Sequence, residues 1–415
     1  MNILGWPHWR ILSVTEHEHD YQITAEQETA TLCCPHCTSS RLYRHEIKRQ
    51  LFMDIPIRGK RTGIQVVRKR YRCRDCNRTF FEPVNDMNEH HFMTKRLVLY
   101  IAQEALRKTF TSIAYDVGID EKLVRLIFQE SVKHLDTATS FKSMCIGIDE
   151  LYLLNQYRCI ITDVEHHQII DLLRDRHKPT VINYLQHLPD STKEHIAVVC
   201  TDMWASYHDA VHQVLPHAKL VVDKFHVLKL LSGCLEVVRK DIRKSLTDKQ
   251  RKTLMHDRFL LLRRPHDLDE HETLILETWL GNFPRLNTAY RLKEGFYAIY
   301  EASTEEDALS RYFTWLEQIT PEVFDAFVPF TLTIERYGDA IFAYFTHRYT
   351  AGYTECINGQ IKLAQRTGRG YSFDVLRAKI LKTGGLQRAT RPGYGEEWTP
   401  HTDTSFHNDR VTLST

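Results

Sequence analysis

Two cysteine pairs constrain this chain more than any other feature of its sequence. Cys34-Pro-His-Cys37 and Cys73-Arg-Asp-Cys76 are C-x2-C knuckles separated by 35 residues. Thiolates three positions apart fit on one tight turn, and two such turns supply four soft ligands at the tetrahedral geometry that zinc takes. The stretch between them accommodates a small β-hairpin layer. A redox C-x-x-C would follow a strand in a thioredoxin-like βαβ context, which is absent here. Cys33 and His36 are neighbouring donors, so the ligand choice at the first knuckle is open by one position. Ten cysteines in 415 residues are too sparse for a disulfide scaffold.

Charge is segregated along the chain. The totals almost cancel, 55 Lys+Arg against 53 Asp+Glu, yet residues 38–80 carry thirteen Lys/Arg against Glu46, Asp54 and Asp75. Aromatics (Tyr43, Phe52, Tyr71, Phe80, Phe81) interleave with this run. A phosphate-contacting surface through Arg68, Lys69, Arg70 and Arg72 is the expectation. Residues 239–264 hold ten Lys/Arg against three Asp, making Arg239, Lys240, Arg243 and Lys244 a second candidate DNA contact. Residues 265–340 hold fifteen acids against five bases and read as a solvated or partner-facing surface. The 42% hydrophobic and 26% charged fractions exclude global disorder. No apolar run approaches the roughly 18 residues of a membrane span, and the N-terminus lacks a signal-peptide pattern, so a cytoplasmic protein is expected.

Residues 92–137 read as helix-turn-helix. Thr94 can cap a helix carrying Leu97, Ile101 and Leu106. Ala114, then Gly118, then Val124 have the spacing that lets two helices approach, turn and pack. Asp120 is the expected N-cap of a recognition helix running to about His134, with Lys122 and Arg125 offered to DNA. A short Thr/Ser linker, Thr137–Ser140, follows.

Beyond it the pattern changes to strands. Runs 145–154, 157–164 and 168–174 read as an antiparallel meander. A helix over 178–189, a buried strand over 195–200, a helix over about 205–215 and a strand over 219–223 come next. Three hairpin strands, helix, strand, helix, strand is the order of an RNase H-like core. In that order the first and fourth strands are neighbours, so Asp149 and Asp202 emerge close together. Paired carboxylates can hold two divalent cations about 4 Å apart and act on a phosphodiester. The third acid comes from downstream of a largely helical stretch. Glu355, Asn358 and Lys362 lie at i, i+3 and i+7 on one helix face, opposite Ile357, Ile361 and Ala364. Glu335 and Asp339 compete, and Glu355 is favoured because only it sits on such a face.

Over residues 31 to 388 the chain resembles the ISL-three family of bacterial insertion-sequence transposases. The resemblance rests on both knuckles with Arg70-Tyr71-Arg72 and Thr79-Phe80, and on Gly147-Ile148-Asp149-Glu150. It continues through Asp202-Met-Trp-Ala-Ser-Tyr207, Asp223-Lys-Phe225-His226-Val227, Glu355-x-x-Asn358-x-x-Ile361-Lys362, and Gly370-Tyr371-x-Phe373-x-x-Leu376-Arg377. It implies Asp149, Asp202 and Glu355 as a DDE triad holding Mg2+ or Mn2+, and zinc on Cys34, Cys37, Cys73 and Cys76. It further implies Asp223 and His226 as signature residues that orient the site or position the terminal hydroxyl, with Asn358 and Lys362 as support. Thr354-Glu355-Cys356 departs slightly from the family pattern without moving the acid. The implied chemistry is hydrolysis at the element's end, then direct attack of the freed 3′-hydroxyl on target DNA. Implied partners are double-stranded DNA, as terminal inverted repeats and target, and a second or further copies of the chain, in the bacterial cytoplasm at the nucleoid. A DNA-binding regulator or domesticated transposase, or an RNase H-like nuclease without strand transfer, is the alternative.

The expected architecture is therefore multidomain α+β and α/β. It comprises an N-terminal extension (1–30), a zinc ribbon (31–88), a helix-turn-helix (92–137), an RNase H-like core with a mixed five-stranded sheet (141–232), a helical insertion (233–340), the core's C-terminal helices (341–391) and a polar tail (392–415).

Overall fold

The computed structural model describes residues 4–28, 33–133 and 141–383. The Thr137–Ser140 linker, the end of the recognition helix at His134 and the tail from Pro392 lie outside the described residues.

Strands β1 (Trp9–Glu16), β2 (Asp20–Gln27), β3 (Leu42–Ile57), β4 (Lys60–Cys73), β5 (Thr79–Phe81), β6 (Met87–Asn88) and β7 (Met93–Thr94) form one sheet. Its order is β1-β2-β4-β3-β7-β6, with β5 on β4. The long β3/β4 hairpin carries one knuckle before it and one at its end. Residues 4–28 are not a separate extension. Tyr21, Ile23 and Ala25 alternate inward on β2, which pairs parallel to β4, and Ile23 and Ala25 share a core with Phe52, Ile64 and Val66. Period-two burial of this kind is what makes a strand pay its ordering cost.

Helices α1 (Lys95–Glu104), α2 (Phe110–Val117) and α3 (Glu121–Ser131) follow. Thr94 accepts the Leu97 N–H, Asp120 accepts the Lys122 N–H at 2.7 Å, and Gly118 makes the turn at φ 80°. Ile113, Val117, Val124 and Phe128 bury the shared face. His91 Nε2 meets Glu130 at 3.0 Å and ties the loop after β6 to α3. The three helices share an apolar cluster with Leu151, Ile160, Ile357 and Leu376, so they are docked on the rest of the molecule.

The second sheet comprises β8 (Cys145–Leu153), β9 (Gln156–Asp163), β10 (Gln168–Leu173), β11 (Val198–Thr201) and β12 (Lys219–Val222), in the order β10-β9-β8-β11-β12. The first three form an antiparallel meander, and β11 and β12 run parallel to β8. Helices α4 (Lys178–Gln186), α5 (Asp190–His195) and α6 (Ala205–Val214) connect them. Ile146 and Ile148 pack with Val181, Leu185 and Val211 on one face, while Leu151 and Leu153 belong to the cluster on the other.

Then come α7 (Lys224–Arg243), α8 (Asp248–His256), α9 (Arg258–Leu262), α10 (Glu270–Asn282), α11 (Pro284–Ile299), α12 (Glu305–Leu316), α13 (Pro321–Phe342), α14 (Tyr344–His347), α15 (Gly352–Thr367) and α16 (Phe373–Thr383). The expected boundary at 233 falls inside the 20-residue α7. Val227, Leu231, Leu235 and Val238 recur along its buried stripe, and Trp315, Phe327 and Phe330 join the same core as Val221 and Val222. The helical stretch is thus continuous with the sheet's core rather than an independent lobe.

Candidate metal centres and active site

The two knuckles close on one another. One sulfur from each of Cys34, Cys37, Cys73 and Cys76 lies within 4.8 Å of the rest, with Cys34–Cys76 at 3.5 Å and Cys37–Cys73 at 3.6 Å. Zn–S bonds of about 2.3 Å at tetrahedral angles need sulfurs just under 4 Å apart, so the set fits zinc. Both knuckles share a backbone form: Thr38 N–H donates to Cys34 O, and Asn77 N–H to Cys73 O, with Thr38 and Asn77 at φ near 60°. Backbone N–H groups of Cys76 and Asp75 aimed at Cys73 lower its thiol, toward the thiolate a metal requires. Cys33 is exposed, and His36 turns to Arg78 instead.

The acids are positioned by strand register. Thr201 stands opposite Ile148, so Asp202, the next residue, falls beside Asp149; Val222 stands opposite Thr201, so Asp223 falls beside Asp202. Three aspartates therefore line up across three neighbouring strands. Glu355 arrives from α15, which approaches closely over Gly147. Thr354 Oγ1 and Thr162 Oγ1 are 2.7 Å apart there, and a Cβ on Gly147 would lie 2.6–2.7 Å from both. Asn358 Nδ2 donates to Asp149 Oδ2 at 2.7 Å, and the Glu150 N–H to Asp149 Oδ1 at 2.8 Å. Asp202 Oδ1 accepts the Trp204 N–H at 3.1 Å. One ligand atom each from Asp223, His226 and Glu355 falls within 4.8 Å of the others, His226 Nε2 lying 4.0 Å from Glu355.

Electrostatics point the same way. Burial raises the Asp149 and Glu355 carboxyls above the ordinary range, Asp223 adding to the rise at Glu355. Asp202 is pushed up to about 6 by burial and then by the charge of Asp149. Buried, mutually repelling carboxylates are relieved by a cation. Asp223 Oδ2 and Asn358 Oδ1 are buried acceptors without a hydrogen-bond partner among the described residues. This oxygen-rich donor set fits Mg2+ or Mn2+. Lys362 is exposed further along α15. Glu335 and Asp339 line a cleft with Tyr312 and Phe342 that includes none of the three acids. Gly147, Thr162 and Thr354 went unremarked as positioning residues in the sequence, as did Lys229, whose charge acts on Glu355. Thr354 beside Glu355, and the glycine two before Asp149, were the available signals.

The expected DNA contacts divide. Arg68 is buried and spends its guanidinium on Gln50, Glu89 and the Glu82 carbonyl; Arg239 is buried against Glu236 at 2.7 Å. A buried, paired guanidinium cannot reach a phosphate, so neither is a DNA contact. Arg125 binds Glu121 and the Gly370 carbonyl, pinning α3 to the core. Lys69, Arg70, Arg72 and Arg243 are half-buried, with Arg70 paired to Glu46. Lys122, Lys240 and Lys244 are exposed.

Residues 146–380 match the family model described as a transposase of the ISL3 type with a DDE domain, and residues 31–76 match the zinc-finger of transposases IS204/IS1001/IS1096/IS1165. The chain is 24% identical over 349 residues to the transposase for insertion sequence element IS1001 of Bordetella parapertussis, covering 82% of this chain and 85% of that one. It is 25% identical over 299 residues to the transposase for IS1557 of Mycobacterium tuberculosis, covering 65% of this chain and 66% of the relative. No helix among the described residues is long and apolar enough to cross a membrane.

Proposed function

This chain belongs to the ISL3 family of insertion-sequence transposases, and from that premise we propose that it cuts and joins DNA by a DDE mechanism centred on Asp149, Asp202 and Glu355. The observation carrying the proposal is the strand register that sets Asp149 beside Asp202, with Asn358, three residues after Glu355, bonded to Asp149. The strand order β10-β9-β8-β11-β12 supports an RNase H-like reading of the core. The αL turn at Gly118 between two capped, packed helices supports a helix-turn-helix that contacts the inverted repeats with the zinc ribbon. Assembly as a dimer or larger complex would let two element ends be handled together.

Asp149, Asp202 and Glu355 would hold two divalent cations, which when bound supply an activated attacking oxygen and a stabilised leaving oxygen. The protein's part is placement. Asn358 and the Glu150 N–H fix the Asp149 carboxylate, the Trp204 N–H fixes Asp202, and the Thr162–Thr354 contact seats α15 against the sheet. His226, beside Glu355, stands where it can orient a hydroxyl or phosphate. The experiment is strand transfer with a pre-cut inverted-repeat oligonucleotide and Mg2+. Wild type should join it to target DNA and Asp202→Asn should not; cleavage without joining favours the nuclease alternative, and binding without either favours the regulator.

A further inference from the structure

We propose that Arg158, Arg174 and Arg176 form a pocket for one backbone phosphate of the DNA strand that enters the candidate active site, an inference resting on the function proposed above. These three guanidinium groups line a cavity of about 630 Å³ together with Asp175, Tyr157 and Phe373. Two of the three have acidic partners: Arg174 pairs with Asp374 at 2.6 Å and Arg176 with Glu150. Arg158 makes no salt bridge among the described residues, although it is only 8% exposed. It donates to the Arg174 carbonyl, lies over the Phe373 ring at 4.7 Å, and leaves its Nε buried without a hydrogen-bond partner among the described residues. Asp175, the acid whose charge reaches it, commits Oδ1 to the His177 N–H at 2.9 Å. Among the described residues no carboxylate contacts the Arg158 guanidinium directly, so an entering phosphate would be its first direct ionic partner.

The pocket's surroundings suit a phosphate. Helix α4 starts at its rim, where the N-cap His177 lines the pocket and its side chain makes no capping hydrogen bond, so the positive end of the helix lies at the pocket's edge. Planar guanidinium groups match phosphate oxygens in pairs. The pocket also adjoins the acids. Ile160 stands opposite Asp149, and Arg158 lies two residues along β9 on the same face. Arg176 binds Glu150, the residue after Asp149, and is held between Tyr157 at 4.1 Å and Trp204 at 4.5 Å. A phosphate seated here would belong to the strand whose neighbouring linkage reaches Asp149 and Asp202.

The test uses the full chain with Arg158→Met and the exposed-site variant Arg174→Gln, probed with inorganic phosphate and with duplex DNA. Phosphate should raise the melting temperature of wild type beyond chloride at equal ionic strength, and should not do so for Arg158→Met. Without phosphate, Arg158→Met should melt no lower than wild type, since it loses a buried charge that no carboxylate contacts directly. Each variant should weaken binding to element-end and unrelated duplexes equally, with the salt slope shallower by about one. A phosphate response lost in the variants with an unchanged DNA salt slope would make this a free-phosphate site and overturn the DNA assignment. A lower-melting Arg158→Met that keeps the phosphate response would make Arg158 structural and overturn the pocket. A wild type that shows both expected responses but neither cuts nor joins DNA keeps the pocket and removes the catalytic reading instead.

Discussion

Gly147 sets how closely Glu355 can approach the aspartates, because it leaves room for Thr354 and Thr162 to meet above it. Gly147→Ala should therefore cost about 1–3 kcal/mol in chemical denaturation, as overpacking does, and should reduce strand joining more than the stability loss explains. Gly359, on the same helix α15, has nothing within 4 Å of an added Cβ. Gly359→Ala should stabilise by roughly 0.5–1 kcal/mol through helix propensity alone. If both substitutions behave alike, the close approach over Gly147 is not what seats α15. At this scale the sequence was legible where a residue type has one physical use: the four cysteines, the caps Thr94 and Asp120, and the turn at Gly118. It was not legible for Arg68 and Arg239, because a charge count does not reveal that Glu89 or Glu236 will claim the charge.

Among the elements, the β3/β4 hairpin is the one that depends most on metal. At its far end Phe52, Ile64 and Val66 are fully buried, whereas Tyr43 through Arg49 on β3, near the knuckles, are exposed. The knuckle end has little apolar burial to offset its ordering entropy, so zinc must supply it. Chelation, or Cys76→Ser, should abolish hydrogen-exchange protection over about residues 42–49 and 68–73 while leaving β2 protected. Protection that persists at the knuckles without zinc would show that the hairpin stands alone. The hairpin could be expected from the spacing of the knuckles. The pairing of β2 with β4 could not, since parallel pairing between segments that flank a knuckle leaves no local turn signal to read.

Across the whole molecule, segregated charge proves to be partly self-consumed. Arg263 pairs with Glu272, and Arg264 with Glu294 and Glu301, so the acidic stretch neutralises part of the basic one it follows. The surface left for DNA in that region is narrower than the counts suggested. Docking of α1–α3 on the core is likewise a global feature, sealed by buried Lys379, which donates to the carbonyls of Ala105 and Lys108. Burial brings Lys379 down to about 8, below the roughly 10.4 of a solvated lysine. Between those values the unfolded chain holds more protons than the folded one, so stability at this group rises with pH across the window and is lowest below 8. Melts should show wild type gaining on Lys379→Met between pH 8 and about 10; a constant difference would mean that the burial is relieved by water. The central claim is that Asp149, Asp202 and Glu355 act together, the first two set side by side by strand register and the third carried by α15, whose Asn358 bonds Asp149. Its most direct test is strand joining in Mg2+ by Asp149→Asn, Asp202→Asn and Glu355→Gln beside Glu335→Gln and Asp339→Asn. The first three should fall by roughly a thousandfold or more, the loss of several kcal/mol of transition-state stabilisation, with the last two near wild type. Activity retained by Glu355→Gln, or lost in Glu335→Gln or Asp339→Asn with folding intact, would contradict the account.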